Sequence, residues 1–141
     1  MLRTRINVLE AIFGIAMVMA LAMPAWASYD DDGCTPGFWK QSHHFDQWVQ
    51  YTPDDSFDDV FGVPSSGGFT LFEALRAKGG GEGGLQRHAV AALLNAVSPA
   101  LNFLLTEVDV IAIVQAGYAT GDFESAKNLL EQANDEGCPL N

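Results

Sequence analysis

Through the second half of the chain apolar residues return every three or four positions, the spacing of helices that bury one face. Leu85, Ala89, Leu93 and Ala96 form one stripe, with Val90, Leu94 and Val97 beside it. So broad an apolar face predicts that a helix over residues 85–97 is the central one. Ala92 in that helix leaves room for a neighbour to approach closely, and Ser98-Pro99 ends it. Thr106-Glu107-Val108-Asp109 is a capping signal for a helix reaching about Tyr118. That segment carries Val108, Ile111, Gln115 and Tyr118 on one stripe and Val110, Ile113 and Val114 on another. Being apolar nearly all round, it is expected to be sandwiched. Asp122 then caps a last helix over 123–133, with Phe123, Ala126, Leu130 and Ala133 as its buried face.

The first half is more broken. Thr35-Pro36-Gly37-Phe38 has proline and glycine at the centre of four residues, which predicts a type II turn. Phe38, Phe45, Trp48 and Val49 fit one face of a short helix within 38–51, stopped at Tyr51-Thr52-Pro53. A helical turn at 57–61, capped by Ser or Asp, is followed by a loop over 62–68. Thr70-Leu71-Phe72-Glu73 is a capping box opening a helix to about Lys78. Gly79-Gly80-Gly81-Glu82-Gly83-Gly84 reads as a flexible surface connection, since no strand precedes it and no Gly-Lys-Ser/Thr follows, as a phosphate cradle requires. There is no internal repeat, heptad run or convincing strand. The expected fold is all-α, a small irregular bundle of about five short helices.

Charge and the N-terminus change the picture next. Arg3 and Arg5 precede an apolar run over 11–23, and Ala25-Trp26-Ala27 supplies a small-x-small cleavage site. Residues 1–27 are therefore expected to be a signal peptide, and residues 28–141 a single exported domain without membrane insertion. The chain has 7 Lys and Arg against 18 Asp and Glu. Removing Arg3, Arg5 and Glu10 leaves five against seventeen. A surface so acidic repels nucleic acid, attracts cations or basic partners, and keeps an exported protein in solution. Cys34 and Cys138, near the two ends of the mature domain, are expected to pair in an oxidising compartment and close the bundle.

Cys34-Thr35-Pro36-Gly37-Phe38-Trp39-Lys40, with His43 or His44 and then Trp48 behind it, resembles the CTPGYWKNH-type domain of secreted and envelope-associated bacterial proteins. Phe57-Asp58-Asp59-Val60-Phe61-Gly62, the run from Arg87 to Asn95, and Gly137-Cys138-Pro139-Leu140 carry the likeness onward. The resemblance implies an exported address and a structural framework built on Thr35, Pro36, Gly37, Phe38, Trp39 and Lys40. It implies no reaction. Where the family reads Lys-Asn-His, this chain reads Lys40-Gln41-Ser42-His43-His44, so either histidine can stand at the family's position.

Two functional readings follow. The first is an exported structural or interaction module of the cell envelope or extracellular space, meeting a protein or glycan there, with no catalysis and no cofactor expected. The alternative is a Zn²⁺- or Ca²⁺-binding domain, or a metal-dependent hydrolase, using His43, His44, His88 and Asp46. No HExxH spacing supports the alternative, and no Gly-x-Ser-x-Gly elbow supports a serine hydrolase. Asp54, Asp55, Asp58 and Asp59 crowd one segment without the glycine and glutamate of an EF-hand loop, so capping of the 57–61 turn accounts for them better than Ca²⁺. His88, beside an apolar stripe, is expected to be a partly buried, hydrogen-bonded side chain, and Trp39 a core anchor.

Overall fold

A computed structural model describes residues 31–140, and the expected signal peptide lies outside the described residues. The chain forms α1 (Pro36–Trp39), a 3₁₀ helix (Ser42–Gln47), α2 (Phe57–Phe61), α3 (Leu71–Leu75), α4 (Gly81–Val97), α5 (Glu107–Thr120) and α6 (Phe123–Asn134). Two isolated antiparallel bridges, Gly33 with Gly137 and Ser56 with Thr70, are the only β-pairing among the described residues. The all-α bundle is as expected, and the Cys34–Cys138 disulfide joins its two ends across a sequence separation of 104.

α4 is the axis. Ala89, Val90, Ala91, Ala92, Leu93 and Leu94 are all buried, and α1, α3, α5 and α6 pack around them. Four of the helices, α2, α3, α5 and α6, begin where side chains satisfy the first free amides. Thr70 and Glu73 form a reciprocal capping box on α3, Thr106 and Asp109 another on α5, and Asp122 accepts from Ser125 N at 3.1 Å on α6. Ser56 caps α2 through Asp59 N. Two glycines allow backbones closer together than any side chain permits. A Cβ on Gly117 would stand 2.9 Å from that of Ala126, where α5 crosses α6, and one on Gly33 would stand 2.2 Å from the Ala133 carbonyl oxygen.

Several expectations are corrected. Thr35-Pro36-Gly37-Phe38 does not make a type II turn: Thr35 is the N-cap of α1, Pro36 occupies its first turn, and Gly37 has no positive φ. A proline φ near −65° suits the first position of a helix as well as that of a turn. The single helix expected over 38–51 is split, because Gln41 is extended (φ −79°, ψ 126°), and Val49 is left facing solvent. α3 stops at Leu75, short of Lys78, and beyond it the Arg87 guanidinium takes the carbonyls of Ala77 and Gly79 at 2.7 and 2.9 Å. The glycine-rich run is not all connection: α4 starts at Gly81, so Glu82, Gly83 and Gly84 are helical.

The largest correction concerns α5. Only Val110, Val114 and Gly117 of this helix are buried. Val108, Asp109, Ala112, Gln115, Ala116, Ala119 and Thr120 face solvent, with Val108 75% exposed. An all-round apolar sequence is consistent with burial on two sides, but the described residues supply a partner for only one.

Candidate functional site

The polar geometry of this molecule's interior centres on a residue that periodicity alone passes over. Asn95, on the last full turn of α4, is completely buried. Its Oδ1 accepts from the Cys34 backbone N–H at 3.0 Å and from the Trp39 indole Nε1 at 2.9 Å. Its Nδ2 donates to the Cys34 carbonyl at 2.8 Å and to Asn134 Oδ1 at 2.9 Å. Both donors and both acceptor positions of the amide are thereby filled. Asn134, also fully buried, passes the network on, its Nδ2 donating to the His88 carbonyl at 3.0 Å and facing His88 Nδ1 at 3.4 Å. One chain of amides so ties the Cys34–Lys40 segment to α4 and to the end of α6. Trp39 is wholly buried, as a core anchor should be, with Phe38 edge-on at 5.1 Å.

The sequence signal for Asn95 was an unexplained amide closing an otherwise apolar run, Val90 to Leu94. Asn134 carries a fainter one, following Leu130 by four positions on the buried face of α6. Neither residue type demands burial by itself.

The candidate metal ligands are not brought together as a set. His43 and His44 are adjacent on the 3₁₀ helix with ring centroids 4.1 Å apart, and His44 stacks on Phe38 at 3.9 Å. Asp46 is exposed. His88 belongs to the amide network, with Glu131 Oε1 3.8 Å from its Nε2. Among the described residues no three His, Cys, Asp or Glu side chains are placed to hold a metal ion. The acidic segment is occupied locally: Asp55 accepts from Thr52 N at 2.8 Å, and Asp58 accepts from Ser65 N at 3.1 Å and from the Ser65 hydroxyl.

Burial holds the His88 imidazole below the usual histidine range, overriding the opposite pull of Glu131 and Asp135. The Asn134 N–H directed at Nδ1 assigns that nitrogen as the unprotonated one. A folded-state pKa below the unfolded one means the unfolded chain takes up the proton first, so stability present at neutral pH is lost as pH falls through about 6.5. Thermal melts between pH 7.5 and 5 should show that loss, and His88→Asn, which keeps an acceptor near the same place, should flatten it. Glu131, Asp109 and Asp122, held low by Lys127, Thr106 and Ser125 respectively, add a separate loss only below about pH 4. Equal slopes for wild type and variant above that point would refute the assignment.

A third buried amide, Gln86, donates to Tyr118 Oη at 3.3 Å, and Tyr118 donates in turn to Glu82 at 2.9 Å. Among the described residues Trp48 Nε1 is the sole buried side-chain polar atom without a partner. Apart from Trp48 Nε1, the buried side-chain polar groups are thus committed to the scaffold. What remains open to chemistry lies on the surface, on the outward side of α5 and in a depression beside Lys40.

The molecule is a disulfide-closed helical bundle held by a buried asparagine network. Comparison with protein-family models, curated proteins and solved structures finds no match to the chain.

Proposed function

We propose that the chain is an exported interaction module of the cell envelope or extracellular space, acting by binding rather than by catalysis. The observation that carries this reading is the outward face of α5. A solvent-facing helix surface ordinarily carries charged residues. This one presents Val108, Ala112, Ala116 and Ala119, with Asp109, Gln115 and Thr120 as its polar members. Beside it α5 and α6 enclose a groove of about 200 Å³ lined by Ile113, Ala116, Ala126 and Leu129, the last 57% exposed. On so acidic a protein, apolar surface of this kind marks a place where another macromolecule is met. The disulfide suits an oxidising compartment, and no helix among the described residues is long and apolar enough to cross a membrane. The CTPGYWKNH-type resemblance supports the same address.

Photo-cross-linking in the producing cell tests the reading. A benzoylphenylalanine at position 108 or 116 should give a discrete adduct of defined mass, whereas one at Asp59, exposed on α2, should give none. Folded protein that yields no adduct from 108 or 116, or the same smear from all three positions, would count against an interaction role for α5.

A further inference from the structure

Of the five lysines and arginines in residues 31–140, four stand around one depression. Lys40 at the end of α1, Arg76 and Lys78 just beyond α3, and Arg87 on α4 line a concavity of about 570 Å³, with Ser42 and Phe72. The fifth, Lys127, is taken by Glu124 and Glu131 at 3.2 and 2.8 Å. None of the four is paired with a carboxylate among the described residues. In a chain with 18 acidic residues to 7 basic, gathering nearly every cation of the domain at one place and leaving it unneutralised is the reverse of what charge balance alone produces. Glu73 shares an adjoining depression with Arg76 and Lys78, and its carboxylate is held by the Thr70 amide at 2.9 Å.

The groups are also partly oriented. Arg87 Nη1 is fixed by the Ala77 and Gly79 carbonyls, which positions the guanidinium and the Arg76–Lys78 segment together. The Arg76 guanidinium lies over the Phe72 ring, 5.3 Å from its centroid. Planar guanidiniums beside flexible ammonium groups match the tetrahedral oxygens of phosphate and sulfate, and orientation beforehand lowers the entropic cost of binding. The concavity has the size of a small-molecule site. The acidic remainder of the surface repels long polyanions, which favours a compact ligand.

We propose that this groove binds an oxyanion ligand, a small molecule or short saccharide bearing phosphate or sulfate groups. The proposal rests on the reading of the chain as an exported binding module, and it names a ligand class at a surface distinct from the α5 face.

Amide NMR correlation spectra of the exported, disulfide-bonded protein, titrated with inorganic pyrophosphate and with a sulfated heparin disaccharide, test it. Saturable shifts confined to residues 40–42, 76–79 and 87 are expected. The tighter probe tells a free phosphate from a saccharide ester. The triple variant Lys40→Gln/Arg76→Gln/Lys78→Gln removes three exposed side chains, so it should melt like wild type yet bind at least about tenfold more weakly. Shifts that stay linear for both probes to about 10 mM, or that survive unchanged in the variant, overturn the proposal. Failure here alongside cross-linking at 108 or 116 removes only the groove assignment, whereas loss of the cross-link alone removes the α5 reading and leaves the groove standing.

Discussion

Asn95→Ala should lower the melting temperature by about 12 °C or more, a loss of at least about 3 kcal/mol for a domain of this size. The substitution strands four buried groups at once: the N–H and carbonyl of Cys34, the indole N–H of Trp39, and Asn134 Oδ1. Each unsatisfied buried group costs about 1–3 kcal/mol, and the emptied volume can admit a water that recovers only part of it. Graded variants locate the effect. Trp39→Phe keeps an aromatic ring but gives up one hydrogen bond, and should cost about 1–2 kcal/mol. Asn95→Asp keeps the acceptor for Cys34 and Trp39 but turns an oxygen toward the Cys34 carbonyl and Asn134 Oδ1, so it should approach the alanine variant in severity. If Asn95→Ala melts within a degree or two of wild type, the amide network is not what holds the Cys34–Lys40 segment to α4.

Breaking the Cys34–Cys138 bridge should be about as damaging. The bridge closes a loop spanning 104 positions, for which the chain-entropy model gives about 4.7 kcal/mol. Typical domains have only about 5–15 kcal/mol in total. Cys34→Ser/Cys138→Ser, or reduction of the native protein, should therefore shift the urea midpoint sharply downward and leave a partly unfolded population at growth temperature. Gly33 N–H donates to the Gly137 carbonyl at 2.9 Å beside the bridge, so amide exchange at Gly33 should speed up with it. This perturbation and Asn95→Ala both act on Cys34, so their costs should not add, and a double-mutant cycle should show coupling. A midpoint unmoved by reduction would mean that the Asn95 network alone secures the chain ends.

Most of the helical layout was legible because its determinants are local. Thr70 with Glu73, Thr106 with Asp109, and Asp122 with Ser125 each act across three residues, and the structure holds all three caps as hydrogen bonds. The stripe on α4 and the buried residues Ala126, Leu130 and Ala133 of α6 follow from helical periodicity. The misreadings fall where two local conformations are close in energy. Pro36 satisfies either a turn or a first helical position, and here the helical form places the Trp39 indole within reach of Asn95. Gly81, Gly83 and Gly84 oppose helix by only about 1 kcal/mol each, which packing of the long helix behind them offsets.

By itself the sequence determined the all-α class, the caps, the central helix and the pairing of its two cysteines, since each depends on near neighbours or on a count. Only the tertiary structure decided which polar groups would be interior and which surfaces would be left open. Asn95 meets Cys34 across 61 positions, Trp39 across 56 and Asn134 across 39. The basic groove likewise assembles Lys40, Arg76, Lys78 and Arg87 from three helical elements. The exposure of Val108 depends on no residue of α5, but on the absence of a further element among those described to cover it. Periodicity records that a side chain is apolar and on which face it lies; whether that face meets solvent is set by how many other segments the folded chain has to place against it.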